Sequence, residues 1–352
     1  MITKSKVTEI FCIADDFCKE FDAEMAKNAV QSTPDAPKRR RKRKMSDAEV
    51  ITILICFHFN SYRNFKHYYQ ACVCGFWKDL FPKRFSYNRF IEVMPRCFVA
   101  LTMFLRLSCF GECTGISFVD STCIPVIHNK RQYGMKVFKG FAVKGKSTMG
   151  WYVGFKLHLL CNEKGEIVNF VLTRANVDDR NDAVIDTLTD RVFGKLYADK
   201  GYISQSLFGR LWSEGIHVVT GLRSNMKQRL MPLYDKIMLR KRSIIETVND
   251  MLKNVAQLVH TRHRSVHNFL MNLLAAMGRA ASSCPSQQST SITRCRTQTV
   301  SSPSGNSQNP IFSKAYQATT SMVARHLVRI RIAPFQSTLI PNSRIVTFLL
   351  FD

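Results

Sequence analysis

The hydrophobic pattern of the chain changes at Gly115. Before that glycine, the apolar residues within 1–33 and in later segments recur at helical spacing, and Ser46 followed by Glu49 predicts a helix start with Ser46 as the N-cap. After it come three strand-like segments, at 116–126, 151–161 and 166–173, of which the last two are predicted to form a hairpin around a turn at 162–165. Helices that alternate with short strands follow, among them a long helix from 240 to about 259. This order predicts an α/β fold with a mixed sheet flanked by helices, preceded by a small all-helical domain.

Composition and pattern together predict three parts. Residues 1–113 form the helical domain, and residues 114–278 form the α/β domain, whose last helix we expect to end at Gly278. The remaining residues, 279–352, hold one acidic and eight basic residues and are rich in Ser and Thr. Such a tail lacks sustained periodicity, and its arginine usage differs abruptly from the lysine-rich body. It is either disordered or translated out of frame.

The charge balance points to a polyanionic partner. The 352-residue chain carries 51 Lys and Arg residues against 26 Asp and Glu, a formal net charge of +25. Nucleic acid is the first candidate and an anionic membrane surface the second. No apolar run reaches the roughly 18 residues of a membrane span, and the acidic N-terminal segment does not resemble a signal peptide. We expect a cytoplasmic protein whose twelve cysteines are reduced thiols, because their spacings fit no zinc site.

A run of seven consecutive cations lies within the helical part, after a Pro-rich break. Like charges at this density cannot pack together, so the segment is exposed. It is either a solvated linker or, as we favour, an arm that binds DNA phosphates. The arm consists of Lys38, Arg39, Arg40, Arg41, Lys42, Arg43 and Lys44. The surrounding helices are compatible with a helix-turn-helix-like reader of DNA, or with a domain that only packs.

A second basic segment, 128–156, interleaves lysines with aromatic residues and glycines. We expect it to overhang the site at Asp120 and to contact the DNA backbone and unpaired bases. The alternative is an ordinary surface loop. Three histidines near Arg262 and Arg264 are interpreted as a DNA-facing stretch rather than a metal site: His260, His263 and His267.

Three acidic residues are candidates for metal-dependent chemistry. Asp120 interrupts an apolar strand, Asp199 closes a short strand, and Glu246 lies beside an apolar helical stripe. Carboxylates from such elements can converge at one edge of a sheet, where hard oxygen ligands select Mg²⁺ or Mn²⁺. Two such ions suit an in-line phosphoryl displacement. Taken singly, the same acids could be a buried hydrogen-bond acceptor, a helix cap and the i,i+4 partner of Arg242.

The helix around Glu246 strengthens the first interpretation. Arg242, Glu246, Asn249 and Lys253 recur at intervals of four, three and four residues, which predicts that they share one helical face. An acid flanked by cations is what a phosphodiester site requires. By contrast, we expect Asp178, Asp179 and Asp182 to mark the first turn of a helix, and His158 to face solvent.

The flanking residues resemble the DDE transposases of bacterial insertion sequences. The matching segments are 118–122 around Asp120, 197–202 around Asp199, and the R-x3-E-x6-K pattern from Arg242 through Glu246 to Lys253. The fuller signature begins with Tyr where this chain has Leu239. Segments 175–180 and 260–265 resemble the insertion-sequence family numbered 982. The resemblance extends over about residues 1–278 and is strongest from 116 to 277.

The resemblance implies an RNase H-like catalytic domain in which Asp120, Asp199 and Glu246 are catalytic and hold two Mg²⁺ or Mn²⁺ ions. It implies cleavage at the element's ends and strand transfer, with terminal inverted repeats and target DNA as partners. We expect DNA contacts from Arg242, Lys253, Lys200 and the 38–44 arm. We also expect a homodimer on DNA and a location at the bacterial nucleoid. The alternatives are an RNase H-like nuclease without strand transfer and an inactive DNA-binding relic.

Overall fold

The structure is a computed structural model of the chain. It describes residues 2–27, 43–134, 136–148, 150–222, 226, 230–259 and 263–281. The predicted tail lies outside the described residues from 282 onward, as do residues 38–42 of the basic arm.

The N-terminal third is helical, as predicted. Its α-helices are α1 (Lys4–Lys27), α2 (Asp47–Phe57), α3 (Phe65–Tyr68), α4 (Tyr87–Val93) and α5 (Phe98–Phe104). Helices α3 and α5 continue directly into π-helical turns at Tyr69–Phe76 and Leu105–Cys109. No helix in the described part of the chain is long and apolar enough to cross a membrane.

Helix α2 lies at the centre of this helical region. Ser46 caps it and forms a reciprocal capping box with Glu49, as the sequence predicted. Every residue from Val50 to Phe57 is buried, so this part of the helix is covered on all sides. Its neighbours include α1 and the C-terminal helix α10 (Val266–Ala281), which therefore belongs to the same core.

Gly278 does not end the last helix, contrary to the prediction. Helix α10 continues to Ala281, and Gly278 is buried against α2 and the turn after α5. A Cβ atom at this position would lie 3.1 Å from Ile55 Cδ1 and 3.3 Å from Leu105 Cδ2. The glycine thus permits close helix packing, a role that a single sequence does not distinguish from a helix stop.

A six-stranded mixed sheet follows, which confirms the predicted α/β pattern. Its central strand β1 pairs antiparallel with β3 on one side and parallel with β5 on the other. Beyond β5, β6 is parallel to it, and beyond β3 lie β2 and β4, both antiparallel to β3. The strands are β1 (Ile116–Ile127), β2 (Val143–Ser147), β3 (Gly150–Asn162), β4 (Ile167–Arg174), β5 (Gly194–Ala198) and β6 (Ile216–Thr220).

Helices cover both faces of the sheet. Phe118 and Ile124 belong to the core shared with the helical region, whereas Val119 belongs to a second core. The second core includes α6 (Asp182–Thr189) and α7 (Gln205–Ser213). The β3–β4 hairpin, with its turn at 162–165, matches the prediction.

The single long helix predicted for 240–259 is wrong. Two helices, α8 (Leu233–Lys241) and α9 (Ser243–Asp250), meet at Arg242, and a π-helical turn, Met251–Val255, follows. Arg242 keeps helical dihedral angles, with φ −54° and ψ −21°. The break is therefore a local change of backbone hydrogen bonding within a nearly continuous helical segment. No Gly or Pro occurs in residues 240–259, so the sequence did not indicate it.

Candidate active site

Asp120 lies on β1, and Asp199 directly follows β5, the strand that pairs in parallel with β1. The β1–β5 register pairs Phe118 with Tyr197. If this register continued for two more residues, one of them beyond the end of β5, Asp199 would lie opposite Asp120. The rings of Phe118 and Tyr197 are in contact, with centroids 5.7 Å apart, so both face one side of the sheet. Because side chains alternate with a period of two, we expect both acids to face that side as well.

The α8–α9 junction brings Glu246 to Asp120 through Arg242. The Arg242 Nη1 atom lies 3.5 Å from Asp120 Oδ1, and Nη2 donates a hydrogen bond to Glu246 Oε1 at 2.7 Å. Asn249 Nδ2 donates a second hydrogen bond, to Asp120 Oδ2, at 2.9 Å. The buried side chains of Ile245 and Val248 anchor α9 and fix this geometry. The predicted shared face therefore holds for Arg242, Glu246 and Asn249.

Burial sets the electrostatics of Asp120. Its side chain is 23% exposed, whereas that of Glu246 is 55% exposed. Desolvation raises the pKa of Asp120, and the charge on Glu246 adds to the rise. The charge on Arg242 and hydrogen bonds from the Ser121 backbone and Asn249 oppose it. A partly buried carboxylate beside a second carboxylate is stabilised by a cation, and Arg242 supplies that cation.

The donor set suits a hard divalent cation. Asp120, Asp199 and Glu246 offer carboxylate oxygens only, the ligands that Mg²⁺ and Mn²⁺ prefer. Within the residues that the structure describes, no three Asp, Glu, His or Cys side chains are grouped closely enough to hold an ion as they stand. The guanidinium of Arg242 lies between two of the acids, so an ion that is bound by both would take its place.

The predicted DNA-contacting cations have different surroundings. Lys200 follows Asp199 in a short 3₁₀ turn and is exposed. Lys253 is half-buried in the π-helical turn. Because a π turn has more residues per turn than an α-helix, Lys253 points in a different direction from Arg242 than an α-helical spacing would give. At the end of the arm, Arg43 forms an ion pair with Asp47 at 2.8 Å, and the Lys44 ammonium lies 5.8 Å from the centroid of the Phe85 ring.

His158 does not face solvent, and this prediction was wrong. Its side chain is fully buried, with Nε2 2.9 Å from Thr173 Oγ1 and Nδ1 3.8 Å from Asp179 Oδ1. Burial lowers the pKa of His158 to about 4, so the ring is neutral near pH 7. Strand β3 is covered on both faces, which is why the exposure inferred from alternation with Lys156 was wrong.

Asp179 also differs from the prediction. Helix α6 begins at Asp182 and is capped by Asn181, so Asp179 precedes the helix. The Asp179 Oδ1 atom instead forms an ion pair with Lys156 Nζ at 3.1 Å. The acid therefore ties the loop before α6 to β3 and does not interact with the helix terminus as predicted.

The DNA-facing role predicted for the histidine stretch does not fit His263. Its ring packs edge-on against Phe269, with centroids 5.6 Å apart, and burial lowers its pKa to about 4. A neutral, packed imidazole contributes no charge to DNA binding near pH 7. His267 is exposed, and His260 and Arg262 lie outside the described residues.

The basic segment at 128–156 is more ordered than predicted. Residues of β2 pair with Gly150–Gly154 of β3, forming a hairpin instead of a loop over Asp120. Strand β2 was not predicted because its sequence, VKGKS, contains a single apolar residue.

The ten cysteines of the described residues are free thiols, as the sequence analysis expected.

Comparison with known proteins gives a family match over the sheet. Residues 110–266 match a family model described as a transposase DDE domain, and this segment contains all three acids. The match covers somewhat less than half of the chain. A cryo-EM structure of the piggyBac transposase synaptic complex with hairpin DNA is similar at a TM-score of 0.44 and 13% sequence identity. The structural match covers 94% of this chain and 82% of the piggyBac transposase chain. No curated protein matches this chain.

The comparison therefore identifies a segment of this chain, residues 110–266, that is similar to the DDE domain of transposases.

Proposed function

We propose that this protein is a DDE transposase that cleaves DNA at the ends of a bacterial insertion sequence and joins the freed 3′-hydroxyl groups to target DNA. The observation that carries the proposal is the contact of Arg242 with both Asp120 and Glu246, beside the strand end that bears Asp199. We assign the element to the insertion-sequence family numbered 982, on the sequence segments that resemble it. The mixed sheet, with β1 between antiparallel β3 and parallel β5, supports an RNase H-like fold for residues 114–278.

We further propose that Asp120, Asp199 and Glu246 hold two Mg²⁺ or Mn²⁺ ions. When bound, such ions activate the attacking water or 3′-hydroxyl and stabilise the leaving oxygen. Asn249 orients the Asp120 carboxylate through its hydrogen bond. Arg242 balances the charge of two acids in the free protein, and its planar fork is suited to a DNA phosphate once those acids have another cation.

The remaining cations extend the phosphate contacts. Lys200 and Lys253 flank the acids along the chain, and the 38–44 arm adds sequence-independent affinity for DNA. We propose that the helical region and the arm bind the terminal inverted repeats. Pairing of two ends requires at least two copies of the chain, so we propose a homodimer on DNA. The site of action is then the bacterial nucleoid.

A strand-transfer assay with pre-cut ends tests this function. The full-length protein is incubated with Mg²⁺, a labelled duplex that carries the element's terminal sequence with a free 3′-hydroxyl, and a circular plasmid. We expect label covalently joined to the plasmid. Cleavage without joined label would support the nuclease alternative and overturn the transposition reaction.

The relic alternative predicts neither cleavage nor joining, although the protein still binds DNA. A chain truncated after Ala281, where the last described helix ends, serves as a comparison. If only the truncated protein is active, the chemistry is intact and the tail inhibits it. If neither protein is active, the proposed function is wrong for this chain.

A further inference from the structure

We propose that the β2–β3 hairpin is a separate binding surface for the backbone of duplex DNA, built on Trp151 and two lysines. The inference rests on the proposed function, because it concerns the same DNA at a distance from the cut site. The surface comprises Trp151, Lys144 and Lys146, with neighbouring cations in the preceding loop.

The segment that contains the hairpin carries only positive charge. Residues 121–162 contain seven Lys and Arg residues and no Asp or Glu. Lys156 is engaged by Asp179, but the other six are exposed. These are Lys130, Arg131, Lys136, Lys139, Lys144 and Lys146. A cluster of exposed cations without interspersed acids generates a positive potential that favours a polyanion.

Trp151 holds two of these lysines in place. Lys146 lies directly opposite Trp151 in the β2–β3 register, and Lys144, two residues away, lies on the same face of the hairpin. Their ammonium groups are 5.8 Å and 4.9 Å from the indole centroid. Such cation–π contacts restrict two otherwise mobile side chains, which lowers the entropy lost when they bind a phosphate.

The loop before β2 is tied to the same tryptophan. Asn129 Nδ2 donates a hydrogen bond to the Trp151 carbonyl oxygen at 2.6 Å, and Asn129 begins the short 3₁₀ turn that contains Lys130 and Arg131. The indole itself remains 55% exposed. Because ammonium groups lie over the ring, the surface presents positive charge rather than a bare aromatic face. This favours phosphate contact over the stacking of an unpaired base.

The position of the hairpin separates it from the acids. Asp120 pairs with Leu159 of β3, and Trp151 lies eight residues before Leu159 on that strand. At about 3.3 Å per residue, the path along the strand is about 26 Å. This length corresponds to about 8 base pairs of B-DNA at about 3.4 Å each. The hairpin is therefore placed to contact duplex several base pairs from the scissile phosphate.

The test measures the salt dependence of binding to duplexes of different length, in EDTA so that no cleavage occurs. The variant is Lys144→Glu combined with Lys146→Glu, and the matched control is the charge-preserving pair Lys144→Arg and Lys146→Arg. With a duplex that extends 20 base pairs to each side of the cut, we expect the Glu pair to reduce the slope of log K against log salt by about 1.8. We expect its Kd near 0.1 M salt to rise about 10-fold, and the Arg pair to bind like wild type.

Duplex length supplies the positional readout. With duplexes that end about 5 base pairs from the cut on both sides, the Glu pair and wild type should bind alike. An unchanged slope on the long duplex would overturn the proposal, as would an equal loss on the short one. A loss with Trp151→Ala but none with the Glu pair would indicate base stacking and also overturn it. A parallel assay of the wild-type protein in Mg²⁺ separates the two failures. If wild type cleaves no end DNA there, the proposed function fails; if it cleaves but the Glu pair binds normally in EDTA, only this inference fails.

Discussion

Substitution of Asp120 by Asn is expected to reduce Mg²⁺-dependent cleavage of end-containing DNA by at least about 10³-fold. The substitution keeps the size of the side chain and an acceptor for Asn249, but it removes the charge that a metal ligand needs. DNA affinity, measured by titration with labelled duplex, should change less than about twofold, because the acid itself does not contact phosphate.

The same substitution should not destabilise the fold. Burial raises the pKa of Asp120, so the charged form of this group lowers the free energy of unfolding relative to a neutral one. We therefore expect Asp120→Asn to melt at the wild-type temperature or above it. The matched control is Asp182→Asn, which removes an exposed acid on α6 and should leave cleavage intact. Cleavage that survives in Asp120→Asn would refute the assignment of this residue.

Substitution of Arg242 by Ala should have the second-largest effect, with two separable parts. Without the guanidinium, Asp120 and Glu246 lose their shared cation, and we expect the free energy of unfolding in EDTA to fall by about 2 kcal/mol. Addition of Mg²⁺ should recover part of this loss. Cleavage should fall about 10²-fold, since the proposed phosphate contact is also removed.

Two comparisons make the Arg242 result specific. Arg242→Lys keeps the charge but not the fork that reaches both acids, so its stability and activity should be intermediate. Arg240→Ala removes an exposed cation two residues away, on α8, and should unfold like wild type. The account of Arg242 would be wrong if its Ala variant had the wild-type free energy of unfolding in EDTA and the wild-type rate of cleavage.

The elements that a local pattern specifies were predictable from the sequence. Strand β1 was recognised by its apolar run around Asp120, and the start of α2 by Ser46 and Glu49. The spacing of Arg242, Glu246 and Asn249 predicted one helical face, and the contacts of these residues agree with it. These features depend on periods of two and 3.6 residues and on capping chemistry, all of which act over a few residues.

The features that depend on distant partners were not predictable. Strand β2 forms because its backbone pairs with β3, although its sequence, VKGKS, is not an apolar run. His158 is buried because helices and loops cover both faces of β3, which no alternation within that strand reveals. We expect Asp120 and Asp199 to lie close together because β1 and β5 pair in parallel, and this pairing joins residues far apart in the chain.

A metal-specificity switch at the three acids tests most directly whether they hold the catalytic ions. Asp120→Cys, Asp199→Cys and Glu246→Cys each replace a hard oxygen ligand by a thiolate, which binds Mg²⁺ poorly and Mn²⁺ better. We predict that each variant binds end DNA, cleaves it at least about 10³-fold more slowly than wild type in Mg²⁺, and regains cleavage in Mn²⁺. Asp182→Cys should cleave like wild type in both ions. Cys variants that bind DNA but recover in neither ion, or that cleave normally in Mg²⁺, would contradict the account.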